Sequence, residues 1–475
     1  MSDRQSRRPV VEMLRAFATE EPLSFHVPGH KNGELTGLPA GVRGMLSWDV
    51  TELPGLDDLH APEGVLREAQ ELLAEAYGAA RSFFLVNGST AGNLAMILSV
   101  CRPGDRVIVQ RNAHKSVFNG LVLAGARPVY LAPEWDERTL AAGHVPASLV
   151  REAVSAYPDA RAVILTHPTY YGLVSTELPR IAEVCRQSGI PLLVDEAHGA
   201  HFGIGEPFPV SSLQLGADVV VQSAHKTLPA MTMASFLHIA EGSSVMPETV
   251  AGRLGILQSS SPSYPLMASL DDARHFFATY GPADLESFLA RRERFVGELS
   301  RIPGLSVAET DDPLKLLIRP EGVTGTGLQK VLQAVGVYAE LADPHQLLLV
   351  LPLLKKESPD RFDEAARRSR AAMKNRGPSK FVRRTAAYQP IAGMTAADHP
   401  PAEDLDSPKE WIPFREAGGR ISAASLIPYP PGIPLVLPGE EIVPETVTRI
   451  GMLLETGVPF QGRHRLKEGF ILVLL

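Results

Sequence analysis

An α/β fold built on a mostly parallel sheet is what this sequence of 475 residues predicts. Two observations carry the prediction. Between residues 60 and 240, short apolar runs alternate with segments of helical period, and turn residues separate them. The runs are dense in Val, Ile and Leu, the composition of strands buried on both faces. In such sheets ligands bind outside the carboxyl ends of the strands, so the chemistry is sought in the loops that follow them.

Residues 1–60 are rich in Gly and Pro and are expected to form an N-terminal arm. Residues 61–285 are expected to form a large domain with strands at Ser82–Val86, Arg106–Gln110, Pro128–Leu131, Ala162–Thr166, Pro191–Val194, Val219–Gln222 and Ala234–Ile239. A helix over Thr90–Val100 places Ala91, Leu94, Ala95 and Leu98 on one apolar face. Residues 286–375 open with a helix at Glu286–Leu299. Leu314–Arg319, Gly327–Ala334 and Leu347–Leu351 then give a strand–helix–strand pattern, a smaller α/β domain. From about 372 to 410, Pro, Ala and mixed charge without a strong period predict a linker or surface excursion. Residues 376–475 thus comprise that linker and a C-terminal domain carrying Gly419–Ala424 and Pro428–Pro434. No internal repeat is present.

Composition bounds the function. With 44% hydrophobic and 21% charged residues, the chain is expected to be soluble and globular, with room for two or three domains. A net charge of −8 and no dense Lys/Arg stripe argue against a nucleic-acid surface. The most continuous apolar run, Leu347–Leu354, is too short to cross a bilayer and contains Pro352. The polar start Met1–Arg8 has no apolar stretch behind it, which argues against a secretory signal. Cys101 and Cys185 lie in or beside apolar helical stretches, as core thiols do, and suit a reducing cytoplasm.

The most informative residue is Lys226, which closely follows the apolar run Val219–Val221. Asp195 ends another such run 31 positions earlier. A strand-terminal lysine behind a strand-terminal aspartate is the arrangement a pyridoxal-phosphate enzyme needs. The lysine holds the aldehyde as a Schiff base, and the carboxylate keeps the pyridine nitrogen protonated. Taken singly, each residue has a plainer reading: Lys226 as a surface charge, Asp195 as a helix cap or salt-bridge partner. Asp195 with His198 and His201 could also suggest a metal site, but no second ligand cluster accompanies them.

Further candidates surround this pair. In Asn87–Asn93 the glycine permits a tight turn, and Ser89 and Thr90 place hydroxyls at a helix N-terminus, a phosphate site or an ordinary cap. Ser223 and His225 beside the lysine would complete a phosphate cup. His114, after the second strand, either stacks on a pyridine face or is an ordinary loop histidine. His198 would reach the ring hydroxyl, while Glu196 and His201 have solvated or structural readings.

At these residues the chain resembles the ornithine/lysine/arginine decarboxylase family of fold-type-I pyridoxal-phosphate enzymes. Phe25–Gly33, Glu52–Leu59, Asn87–Asn93, Asn112–Ser116, Asp195–Gly199, Ser223–Leu228 and Pro428–Glu440 follow in family order. The resemblance implies an aspartate-aminotransferase-like large domain and pyridoxal 5′-phosphate as cofactor. It implies Lys226 as the Schiff-base lysine, Asp195 at the pyridine nitrogen, His114 stacked on the ring, and His198 near the ring hydroxyl. Ser89, Thr90, Ser223 and His225 would surround the phosphate. Ser260 and Ser261 match a segment that reaches a neighbouring subunit's cofactor, which implies a homodimer or a dimer-based oligomer. Because the first family motif begins near residue 25, the short form without the N-terminal wing domain is expected.

The implied activity is α-decarboxylation of a small basic amino acid: arginine, lysine or ornithine. His198, His225 or Lys226 would return the proton to the α-carbon. Glu440 and the Asp57–Asp58 pair are candidates for the distant cationic end of the substrate. The rivals are an aminotransferase or another pyridoxal-phosphate lyase, with Arg319 gripping a carboxylate, and a non-catalytic cofactor-binding protein.

Overall fold

Each of the seven apolar runs becomes a strand: Arg81–Leu85, Arg106–Gln110, Arg127–Leu131, Val163–Thr166, Leu192–Asp195, Val219–Gln222 and Ser235–Ile239. The computed structural model describes residues 3–374, 393–397, 407–428, 433–455 and 458–475. It divides into two units, Met1–Val100 with Gly189–Gly281 and Cys101–Ser188 with Pro282–Leu475. The partition therefore runs through the expected 61–285 domain. Among the described residues, no helix is long and apolar enough to cross a membrane.

In the first unit the strand order is Arg81–Leu85, Ser235–Ile239, Val219–Gln222, Leu192–Asp195. The last two run parallel, with Leu193 opposite Val219 and Asp195 opposite Val221. Ser235–Ile239 is antiparallel to both of its neighbours. Arg81–Leu85 consequently points the same way as the parallel pair. Three carboxyl ends and one amino end share an edge. The three inner strands are buried along their whole length, which is why their sequences show no polar alternation.

The helix after the first strand spans Gly88–Val100 and buries Ala91, Gly92, Asn93, Ala95, Met96 and Ile97. Leu94 and Leu98, expected on the buried face, are only partly covered. This helix is apolar nearly all round, so periodicity alone does not choose its inner face. Packing chooses it: a Cβ at Gly92 would lie 2.7 Å from Leu85 Cδ1 and 2.8 Å from Val221 Cγ1. Only glycine lets the helix approach the strands that closely.

The N-terminal arm also differs from its expectation. It opens with a helix, Pro9–Thr19, that buries Val10, Val11 and Leu14. Pro at the first helical position is compatible with this start, since its missing N–H would be unpaired anyway. The arm is anchored by the helix Tyr264–Ala278. Asp271 Oδ2 there accepts from Val10 N at 2.9 Å, and Arg274 donates to Asp271 at 2.7 Å and to Gln5 O at 2.9 Å.

In the second unit Arg106–Gln110 runs parallel to Arg127–Leu131 and to Val163–Thr166. Met394–Ala396 pairs antiparallel with Arg127–Leu131, so part of the expected linker is a strand; residues 375–392 and 398–406 lie outside the described residues. The strand–helix–strand pattern is present as Lys315–Pro320, Gly325–Gln333 and Leu347–Val350. Leu305–Glu309 and Leu341–Ala342 complete an antiparallel four-stranded sheet. Near the C-terminus, Lys409–Pro413 pairs with Phe470–Leu474 over a core that includes Phe414, Leu426, Ile442, Ile450 and Ile471. Cys101 and Cys185 are buried, and burial pushes the Cys101 thiol up to about 12.

Arg274 and Asp271 are fully buried, so removing one leaves the other charge uncompensated. Arg274→Met is expected to weaken the anchoring of the arm by about 3–5 kcal/mol. Hydrogen exchange of the Val10 and Val11 amides should quicken accordingly; unchanged exchange would contradict this account.

Candidate active site

Lys226 lies in the single-turn helix Ala224–Thr227, directly after the strand Val219–Gln222. It is half-buried, and its Nζ is 3.1 Å from His198 Nε2. Asp195 is the last residue of its strand and 3% exposed. Its Oδ2 accepts from Asn93 Nδ2 at 2.9 Å and its Oδ1 from Ala197 N at 3.1 Å. The turn after Asp195 is laced to the neighbouring strand, Glu196 N donating to Val221 O (2.8 Å) and Ser223 N to Ala197 O (3.3 Å). Parallel pairing thus brings Asp195, His198 and Lys226 to one strand edge.

Hydroxyls gather at that same edge. Ser89 Oγ is 2.7 Å from Ser223 Oγ and 3.1 Å from Ser235 Oγ. Thr90 is exposed in the first turn of the Gly88–Val100 helix. His225 Nδ1 lies 2.9 Å from Ala234 O; a carbonyl only accepts, so Nδ1 carries the proton and Nε2 is left as an acceptor. Burial, with a smaller effect from the Lys226 charge, holds His225 below the ordinary histidine range. Thr227 Oγ1 is buried without a hydrogen-bond partner among the described residues.

The remaining expected residues are placed as follows. His114 belongs to the second unit, where it caps the helix Lys115–Ala124 and accepts from Ser116 N with its ring exposed. Ser260 and Ser261 are exposed, and Ser261 N donates to Ser259 Oγ at 3.2 Å. His201 is buried with its ring edge-on to Phe202 and Phe208. Arg319 donates through Nε to Gln346 Oε1 at 3.0 Å. Among the described residues, no three His, Cys, Asp or Glu side chains gather to hold a metal ion.

Two acidic candidates for the substrate's cationic end are engaged elsewhere. Glu440 is buried, and both of its oxygens accept from Arg111 at 2.7 Å; Thr395 Oγ1 and Leu437 N add further bonds. Asp57 accepts from the backbone N–H groups of Asp58, Glu63, Gly64 and Leu66. Those bonds hold its carboxyl below the usual range against the opposing effect of burial, the largest single influence on it. Asp57 therefore caps the start of the helix Val65–Tyr77. Of the Pro428–Pro434 signature, residues 429–432 lie outside the described residues.

Asn93 and Ser235 were missed by sequence reasoning. Asn93 carried a signal, a lone amide on an otherwise apolar helix, where burial demands a partner. Ser235 carried none, since it begins a strand instead of following one.

The donor set fits a pyridoxal phosphate. Clustered neutral hydroxyls beside the start of a thirteen-residue helix suit a phosphate ester. A buried carboxylate held by two N–H donors suits a cationic ring nitrogen, and a half-buried amine stands just beyond the neighbouring strand.

Residues 8–311 match the family Orn/Lys/Arg decarboxylase, major domain, and residues 384–457 match the family's C-terminal domain. The chain is 46% identical over 478 residues to "Uncharacterized protein YaaO" of Bacillus subtilis (strain 168), with 98% of each covered. It is 34% identical to "Arginine decarboxylase" of the same organism, with 96% of each covered. The crystal structure of the Francisella novicida lysine decarboxylase LdcF superposes with a TM-score of 0.79 at 18% identity, over 98% of this chain and 81% of that one. That likeness shows the α/β fold expected from the sequence.

Acid should weaken the folded chain. Burial pushes His144 down to about 4, with His167 adding to the effect, and His238 down to about 3; His225 moves the same way. These rings stay neutral when folded but bind protons when unfolded below about pH 6.5, so stability is lost as pH falls from there towards the folded values. Thermal midpoints of the cofactor-free protein should drop by several degrees between about pH 7.5 and about pH 5. A flat or rising profile would contradict the burial of these rings.

Proposed function

Since the chain belongs to the Orn/Lys/Arg decarboxylase family, we propose that it is a pyridoxal-phosphate enzyme that decarboxylates arginine to agmatine, a polyamine precursor. The observation that carries the reading is the Lys226 amine beside His198, in the turn of helix that follows the strand paired with the one ending in buried Asp195. Arginine is favoured over lysine and ornithine because the arginine decarboxylase match is 34% identical over nearly the full length of both chains.

In this reading Lys226 holds the cofactor covalently and Asp195 faces the pyridine nitrogen. When bound, the cofactor supplies an electron sink for the pair left on the α-carbon as carbon dioxide departs. Asn93 Nδ2 and Ala197 N fix the Asp195 carboxylate, which would then be held to meet the ring nitrogen. Ser89, Thr90 and Ser223 would receive the phosphate, with Ser235 behind Ser89, and His225 would join them by taking up a proton on Nε2. Ser260 and Ser261 would reach a partner subunit's site in a homodimer or dimer-based oligomer. Leu23 (84% exposed), Phe25 (92%) and Val27 (66%), close together in the arm, support such an interface, since clustered exposed apolar groups mark interaction sites.

One proton must be returned to the α-carbon. Lys226 Nζ and His198 Nε2 are 3.1 Å apart, so either atom can hold it and exchange it with the other. Glu440 and Asp57 are left in their structural roles, since their oxygens are already engaged. A cytoplasmic setting is part of this reading, supported by two buried free cysteines that suit a reducing compartment.

Incubation with arginine, lysine and ornithine in separate reactions should release carbon dioxide and agmatine from arginine in preference to cadaverine or putrescine. Exclusive cadaverine formation would move the substrate to lysine, and glutamate formation from 2-oxoglutarate would make the enzyme an aminotransferase. Borohydride should trap the cofactor on Lys226. Lys226→Ala should abolish that adduct and lower kcat by about 10⁴-fold or more.

A further inference from the structure

The turn that presents Asp195 and His198 carries a second carboxylate without a part in the chemistry above. Glu196 is fully buried. Its Oε1 accepts from Ser211 Oγ at 2.8 Å and from Gln222 Nε2 at 2.6 Å, and its Oε2 accepts from Ser212 N at 2.5 Å. Gln222 Oε1 lies 3.1 Å from His238 Nε2, and His238 Nδ1 lies 2.8 Å from Ser82 Oγ. Ser82 and His238 are directly opposed on adjacent strands, and Gln222 ends the next strand, so the chain of bonds crosses the sheet.

Its direction is dictated by donor chemistry. A carboxylate only accepts, so the Gln222 nitrogen faces Glu196 and its oxygen faces His238. That oxygen also only accepts, so His238 Nε2 carries the ring proton and Nδ1 accepts from the Ser82 hydroxyl. Burial pushes His238 down to about 3, so the ring is neutral and the polarity of the chain is constant around neutral pH.

The backbone around Glu196 leads directly to the reacting groups. Glu196 N donates to Val221 O, and Gly199 N donates back to Glu196 O at 2.9 Å, closing the turn that contains His198. The side chain packs directly on the turn, since a Cβ at Gly199 would lie 2.7 Å from Glu196 Cγ. We propose that Glu196, oriented through Gln222 and His238, is the positioning residue of the active-site turn: it sets Asp195 and His198 relative to Lys226 without touching cofactor or substrate. The proposal rests on the function assigned above, in which those three residues do the chemistry.

Exchange of atoms at constant size tests it. Glu196→Gln replaces one acceptor oxygen with an amide, setting a donor against the donors of Ser211, Ser212 or Gln222. The expected result is a kcat about 30-fold lower with KM within about threefold, as for misplacement remote from the chemistry. The pH midpoint of the visible absorbance of the cofactor-loaded protein should also move, by about half a unit or more, because the setting of Asp195 and His198 has changed. The double variant Glu196→Gln with Gln222→Glu puts the carboxylate on the other side of the same bond, where His238 Nε2 still donates; it should recover about tenfold in kcat. Ser211→Ala, a milder cut, should move the midpoint in the same direction and carries the test if Glu196→Gln does not fold. A wild-type midpoint and kcat in the variants that fold would overturn the proposal, as would a loss of kcat with an unmoved midpoint and no recovery in the double variant. The wild-type adduct on Lys226 separates the two levels: its absence overturns both readings, whereas its presence with indifferent variants overturns this one alone.

Discussion

A carboxylate at the end of a buried strand is costly unless donors meet it, and Asp195 is only 3% exposed. Much of the first unit answers that requirement. Gly92 lets a helix settle onto the sheet, which delivers the Asn93 amide to Asp195. The turn beyond the strand supplies the second donor from Ala197 N. The same parallel pairing that sets Asp195 opposite Val221 carries the chain on to Lys226, five residues beyond Val221. Charge compensation and the placement of the amine are therefore one structural event.

The anion end of the site is built differently. Its hydroxyls come from three chain segments, Ser89, Ser223 and Ser235, and they bond to one another. Neutral donors of this kind do not titrate in the working range, and a helix terminus supplies a fixed partial charge beside them. Such a cluster offers donors suited to an anion without placing a further cation near Asp195.

The strands and the Lys226–Asp195 pair were legible because runs buried on both faces leave an unmistakable density of Val, Ile and Leu, and the ends of such runs locate the ligand edge. Direction was not legible. Nothing in Ser235–Ile239 announces that it runs backwards, and so Ser235 reaches the site unforeseen. The inner face of Gly88–Val100 was hidden for the opposite reason, since a helix apolar on every side gives periodicity little to act on. The N-terminal helix was obscured by the Gly and Pro that follow it in the arm, and the strand Met394–Ala396 is too short to show a pattern. Glu440 and Asp57 show the limit of reading charges from a sequence. An acidic residue near a motif is as readily a strut or a cap as a binding group, and only its partners distinguish the cases.

In the second unit, Arg111 follows the strand Arg106–Gln110, and its guanidinium donates to Glu440, Thr395 and the carbonyls of Pro434 and Leu435. Thr395 in turn belongs to the short strand that covers the edge of Arg127–Leu131. A chain cut short before residue 393 would expose that strand edge and strand a buried cation in the same stroke. Shortened products of this polypeptide would then be sticky intermediates prone to self-association, which makes the final eighty or so residues part of how the second unit stays in solution.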